Sequence, residues 1–240
     1  MILLILSGFV RVSPGQSVMV ETYYFCYVFG GGGVMARLVM ADVDERFFPA
    51  TSMPDEDWWS ELWPDPEGVL RDTGLRRGMR AVDLCCGYGW FTGAMARIAG
   101  AGNVFAVDLD AGMIEAARRR LAAEGAPECM WITGDARELN RLMDERADYV
   151  LIANTFHGVP DKRRLAACVA DILKEGGRLV IINWHARARE ETTVLGQPRG
   201  PATEMRMSPD DVREEVEPAG LRLVETRELP PWHYAAIFEK

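Results

Sequence analysis

Histidine is scarce in this chain, cysteine is scattered, and no apolar run is long. The 240 residues hold three histidines, at 157, 185 and 233, and five cysteines, at 26, 85, 86, 129 and 168. Cys85 and Cys86 are adjacent, so they lack the two-residue gap of a zinc knuckle. An odd count without regular spacing is not a disulfide framework. Cys129 and Cys168 fall in apolar stretches, where a thiol acts as a small hydrophobe. The reading is a reduced, cytoplasmic protein. Positive charge is also short. A net charge of −9 argues against a nucleic-acid backbone as the main partner. A membrane span needs ~20 nearly unbroken apolar residues. Residues 18–40 are broken by Glu21 and by Gly30 to Gly33. Residues 1–10 are apolar but have no basic segment before them, as a signal peptide requires.

What is present has the composition of a soluble globular domain. Residues 1–40 are expected to be a poorly ordered N-terminal extension outside the fold, with Met35 or Met40 as alternative starts. Residues 41–78 are expected to form a helical lid segment. Within it, Trp58, Trp59 and Trp63 share one face of a short helix. They either pack on the domain behind them or cover a ligand; aromatic side chains serve both uses. Residues 79–240 carry the main domain.

In that domain strands and helices alternate. Strands are expected at 81–84, 103–107, 129–132, 149–153 and 179–182, with two more at 221–229 and 233–238 around Pro230 and Pro231. Asp110 caps a helix carrying Met113, Ile114, Ala117 and Leu121 on one face. Asp161 caps another, and Gly176 and Gly177 are expected to end it. Ser208 followed by Pro209 starts a third. Seven strands with helices between most of them make an α/β domain with a mostly parallel sheet, closed by an antiparallel hairpin.

The chemistry is concentrated in Asp83-Leu84-Cys85-Cys86-Gly87-Tyr88-Gly89. A strand that runs into a glycine turn and then a helix presents backbone N–H groups to a ligand. Gly87 and Gly89 are expected to clear the approach. By itself a Gly-x-Gly is weak. Asp83, just before the loop, would repel a dinucleotide phosphate and attract a cationic amino group. The third glycine of the dinucleotide fingerprint is replaced by Thr92. Asp108 ends the second strand, where an acid can accept from ribose hydroxyls. Asp135 follows the third strand, within reach of an adenine amino group.

These residues resemble motif I of the class I S-adenosylmethionine-dependent methyltransferases, with Cys85 where glycine is common. The resemblance extends over residues 68–240. It implies a Rossmann-like sheet, S-adenosylmethionine as cofactor and methyl transfer to a small molecule. It places Asp83, Cys85, Cys86, Gly87 and Gly89 around the cofactor, Asp108 on its ribose, and Leu109 and Met113 beside its adenine. Asp135 and Ala136 also contact the adenine, and Asn154 lies near the sulfonium. Leu173 to Gly177 resembles the family's turn before its fifth strand.

All three histidines follow strands at the expected ligand edge. His157, and after it His185, are candidate bases; structural roles are the plainer alternative. A weaker idea is that the three hold a metal ion. Residues 186–207 read as a long loop that either covers the substrate or is simply solvated. Arg187, Arg189 and Arg199 in it would suit an acidic acceptor. No membrane partner is expected, and the oligomeric state is open. A second reading is a non-catalytic S-adenosylmethionine-binding module acting as sensor or assembly partner. A third, an NAD-dependent oxidoreductase, is disfavoured by Asp83 and Thr92.

Overall fold

The computed structural model describes residues 56–240, together with 3–4, 25–30 and 33–37. The chain divides into two compact units, Met1–Phe47 and Phe48–Lys240. In the first, β1 (Leu3–Leu4), β2 (Phe25–Gly30) and β3 (Gly33–Arg37) pair antiparallel in that order. The expectation for residues 1–40 otherwise lies outside the described residues, as do residues 41–55 of the expected lid segment.

The second unit is built on a seven-stranded sheet. Its strands are β4 (Ala81–Leu84), β5 (Val104–Asp108), β6 (Met130–Thr133), β7 (Ala147–Ala153), β8 (Leu173–Trp184), β11 (Arg222–Leu229) and β12 (His233–Glu239). A two-stranded ribbon, β9 (Thr193–Val194) and β10 (Gln197–Pro198), stands apart in the loop after β8. The order across the sheet is β11-β12-β8-β7-β4-β5-β6. The run from β8 to β6 is parallel, and β12 is antiparallel to both β8 and β11. The expected closing hairpin is therefore present, with its second strand inside the sheet.

Strand side chains alternate between faces, so two cores form. Val82, Leu84, Val107, Val150, Ile152 and Ile181 pack under α5 (Leu139–Leu142), α6 (Lys162–Ile172) and α7 (Pro209–Val216). Ala81, Val104, Leu151, Val180 and Ile182 face the other way. There they meet α1 (Glu56–Leu62), α2 (Pro66–Asp72), α3 (Trp90–Ala99) and Leu121 of α4 (Ala111–Ala123). Strands covered on both faces read as continuous apolar runs; β4 is buried throughout, and β7 is buried except at Asp148 and Ala153. The expected caps hold. Asp110 accepts from Gly112 N at 2.7 Å, Asp161 from Arg164 N at 3.1 Å, and Ser208 forms a capping box with Asp211.

One helix end differs from the expectation. α6 stops at Ile172, and Leu173 is already extended, so Gly176 and Gly177 lie in β8 rather than in a helix cap. Gly176 takes a left-handed φ of +73° with open space beside it, and Gly177 serves close approach. A Cβ on Gly177 would stand 2.8 Å from the Lys174 carbonyl oxygen and 3.1 Å from that of Ala147.

The segment before the sheet is tied to it by a buried hydroxyl pair. Thr73, at the C-terminus of α2, meets the Tyr149 hydroxyl of β7 at 2.8 Å, and its Oγ1 lies 2.9 Å from the Val69 carbonyl oxygen. Tyr149→Phe removes one such bond while keeping the ring. It should cost about 1 kcal/mol, read as a lower denaturant midpoint at unchanged slope. An unchanged midpoint would show that the pair does not anchor α2.

Candidate active site

The glycine loop leaves the sheet at the carboxyl end of β4. Its tightness is visible in the backbone: Cys85 has φ +63°, Gly87 +53° and Gly89 +81°. A left-handed cysteine is strained, and such strain concentrates at functional turns. The thiol therefore occupies a position that glycine fills without strain. Asp108 holds the loop from the neighbouring strand. Its Oδ2 accepts from Gly87 N at 2.8 Å and its Oδ1 from Asp110 N at 2.9 Å.

Gly89 does something other than clear a path for a ligand. A Cβ there would lie 2.9 Å from the Ala117 Cβ of α4, so the glycine lets α3 start against that helix. Its role is packing, and it does not line the cavity described below.

Asp83 is buried, 3% exposed, on the α3 face of β4. Thr92 donates to its Oδ2 at 2.5 Å. Thr92 stands where the dinucleotide fingerprint has its third glycine, so the departure noted in the sequence is an interaction in its own right. Burial raises the Asp83 carboxyl to about 7, against which the Thr92 hydroxyl works, and the charge of Asp108 adds to the rise. Burial, with Asp108 and Asp83 nearby, likewise keeps the thiols of Cys85 and Cys86 protonated. Both thiols are free, as are Cys129 and Cys168.

A cavity of about 420 Å³ opens over this loop. Its inner wall is Asp83, Cys85, Cys86, Gly87 and Asn154; its outer wall is Trp58, Trp59, Arg189, Arg199 and residues 200–202. Of the expected cofactor residues, the five of the inner wall come together here. Asn154 is left-handed at φ +58°, and both polar atoms of its buried amide lack a partner. Asp108, Leu109, Met113, Asp135 and Ala136 do not line the cavity. They stand at the adjoining ends of β5 and β6, joined to the loop through Asp108. Asp135 is committed to Arg137, at 2.6 Å, which lowers its pKa.

The tryptophans divide between packing on the domain and lining the cavity. Trp63 packs on Phe91, with ring centroids 5.4 Å apart, while Trp58 and Trp59 are buried and line the cavity.

The histidines separate. His157 borders the cavity; its Nδ1 is buried without a partner, and burial lowers it to about 4. The Asn183 amide is near enough to His157 and to the Tyr234 hydroxyl to influence both, but makes a well-formed bond to neither. His185 turns away from the cavity and pairs with Glu228 at 2.9 Å. His233 is fully buried between Trp184, 4.2 Å away, and Trp63, 4.6 Å away. Among the described residues no group of three metal-ligating side chains converges, so the three-histidine metal idea fails on geometry.

Residues 186–207 are not merely a solvated loop. Sequence reasoning missed the residue that organises them, Arg206, which is 7% exposed. Its guanidinium donates to the Thr192 hydroxyl at 2.9 Å, the Arg199 carbonyl at 3.0 Å and the Pro201 carbonyl at 3.2 Å. It also lies 5.1 Å over Trp184. A single arginine in a polar stretch carries no periodic signal, which is why the sequence hid it. Thr92 was legible; Arg206 was not. Arg187 does not line the cavity, whereas Arg189 and Arg199 do.

The comparisons with known proteins agree with this geometry. Residues 81–177 match the family model described as a methyltransferase domain. A demethylmenaquinone methyltransferase of Staphylococcus aureus (strain MRSA252) is 34% identical over 115 residues, 48% of this chain and 46% of that one. The chain thus spans about half the length of the curated relatives it matches. Among solved structures, a SAM-dependent methyltransferase from Aquifex aeolicus superposes with a TM-score of 0.65 at 22% identity, covering 77% of this chain and 93% of that one. The cyclase SpnF shares the fold at a TM-score of 0.59 and 14% identity, covering 73% and 80%. Residues 81–177 are thus similar to a methyltransferase domain, and the second unit has the fold of SAM-dependent methyltransferases of known structure. Among the described residues no helix is long and apolar enough to cross a membrane.

Gly89→Ala should destabilise the fold by about 1–3 kcal/mol, from a left-handed alanine and its clash with Ala117. Thermal denaturation checks this; a Tm equal to the parent's would contradict the packing role.

Proposed function

We propose that the chain transfers the methyl group of S-adenosylmethionine to a small, acidic acceptor in the cytoplasm. One observation carries this reading: a buried carboxylate, an orphaned amide and a glycine loop line one end of a cavity whose other end is cationic. Asp83 suits the cofactor's amino group, Gly87 the close approach of its amino-acid end, and Asn154 the surroundings of the sulfonium. Asp108, already fixed to the loop, is positioned to accept from ribose hydroxyls. Leu109, Met113 and Ala136 supply apolar surface for the base.

When bound, S-adenosylmethionine supplies an activated methyl group on a positive sulfur. The chain's own task is then alignment, which can account for much of the barrier. His157 is neutral at neutral pH and has an unpartnered ring nitrogen at the cavity wall. It accepts the proton that the acceptor releases. His185, paired with Glu228, is left to structure.

The fold alone does not select this chemistry, since a cyclase shares it. A demethylmenaquinone-type acceptor is the relative's activity, and the arginines of the outer wall do not favour it here. A binding module without turnover is the remaining alternative. It is answered by incubating the protein with methyl-labelled S-adenosylmethionine and a panel of small acids. Label transferred to an acid supports the enzyme; tight binding without transfer supports the module.

The Asp83 carboxyl, raised to about 7, gives a pH test. Only its ionised form pairs with an ammonium group, so affinity for S-adenosylhomocysteine should rise with pH. The rise should approach tenfold per unit below about pH 7 and level off above it. Asp83→Asn should bind more weakly, with no such rise. A parent profile as flat as the variant's would remove Asp83 from the ammonium site.

His157→Ala should lower kcat by roughly 10²–10⁴-fold, with a smaller change in the acceptor KM. Because His157 titrates near 4, the parent kcat should show no imidazole inflection between about pH 5 and 8. A silent variant would demote His157 to a wall residue.

A further inference from the structure

The outer wall of the cavity is an arrangement of donors without acceptors. Arg199 lines the cavity with its guanidinium 5.3 Å over the Trp58 ring, and its Nε is buried without a partner. The indole Nε1 of Trp59, another lining residue, is also buried and unpartnered. Directly behind, Arg206 is buried with one terminal nitrogen unbonded. Arg189 reaches the cavity from an exposed position, and its side chain donates to the Gly200 carbonyl at 3.0 Å. Among the described residues no carboxylate lies within ion-pair distance of Arg189, Arg199 or Arg206. Arg189, Arg199 and Trp59 line the cavity together, and neither arginine nor indole can accept a hydrogen bond.

Buried donors in native proteins are satisfied almost without exception, and a buried guanidinium without an anion is costly. The Coulombic influence of Arg189 on Arg206 opposes its charge, while that of Glu190 favours it only in part. A ligand that supplies oxygen acceptors and negative charge at this wall satisfies the Arg199 and Trp59 donors together. The rest of the wall adds shape. Trp58 and Trp59 are nearly perpendicular at 5.5 Å and form an aromatic corner beside the guanidinium. The cavity, about 420 Å³, lies near the lower end of the ~300–1,000 Å³ typical of ligand sites. It must also take the amino-acid end of the cofactor. That leaves room for a molecule of one or two rings.

Resting on the functional reading above, we infer that the acceptor is a compact aromatic acid. Its anionic group is held by Arg199 with Arg189 and the Trp59 indole N–H, and its ring lies against Trp58. Arg206 does not grip the ligand; it fixes the loop that carries Arg199 and adds its field. Cavity polarity thus sorts the two ligands. The acidic inner end takes the positively charged cofactor, and the basic outer end takes the anionic acceptor.

The test uses the full chain and two probes of matched shape, 1-naphthoate and the neutral 1-naphthamide. Each is titrated by quenching of the tryptophan fluorescence, with and without S-adenosylhomocysteine. The acid should bind at least roughly tenfold more tightly than the amide, the margin of a charge-assisted hydrogen bond. Arg199→Met should erase that preference and Arg199→Lys should retain part of it. Arg189→Met, at an exposed position, reports the same loss if Arg199→Met does not fold. Equal affinity of acid and amide would overturn the inference, as would a preference that survives both methionine variants. If S-adenosylhomocysteine fails to bind, the functional reading falls. The acid–amide comparison without it then shows that the anion site exists only if the preference persists, and refutes it otherwise.

Discussion

The site is organised around one uncomfortable group, the Asp83 carboxylate. It sits 3% exposed in the sheet with one hydroxyl, that of Thr92, as its hydrogen-bond partner. Burying a charge with so little compensation is unfavourable, and the rise of its carboxyl to about 7 expresses that cost. A second acid, Asp108, stands close enough to worsen it, yet Asp108 spends its own oxygens on the backbone N–H groups of Gly87 and Asp110. One acid therefore shapes the loop and the other waits for a cation. The left-handed Cys85 between them belongs to the same economy of strain. Its thiol, kept protonated, adds no further charge.

The polarity of the cavity follows from this. The acidic groups are at the sheet end, beside β4, which is paired on one side by β5 and on the other by β7. The arginines are on the loop after β8, where Arg206, Arg189 and Trp232 all bond residues of the segment 186–207. The residues of the proposed cofactor end thus belong to the sheet and its first loop, and the arginines of the proposed acceptor end to a surface connection.

Much of this was legible in the amino-acid order. The apolar runs at 81–84 and 149–153 marked two strands, the caps Asp110, Asp161 and Ser208 are plain, and the acid before the glycine loop pointed away from a dinucleotide. Three things were not legible, for physical reasons. Gly176 and Gly177 looked like a helix stop, because glycine serves close backbone approach as well as a C-cap. Gly89 looked like part of a ligand cradle, because its neighbour Ala117 is remote in sequence. Arg206 gave no signal, because a keystone built from carbonyl contacts depends on where a loop folds back and not on any spacing. The histidines show the same limit. All three follow or open strands at one edge, but side-chain direction sends His157 to the cavity, His185 to Glu228 and His233 into an indole stack.

The central claim is that the loop from Asp83 to Gly89 binds a sulfonium cofactor and not a dinucleotide. Equilibrium dialysis of the full chain against S-adenosylhomocysteine and against NAD tests it most directly. The account predicts saturable, stoichiometric binding of S-adenosylhomocysteine and none of NAD at the same concentrations. Binding of NAD in preference would contradict it.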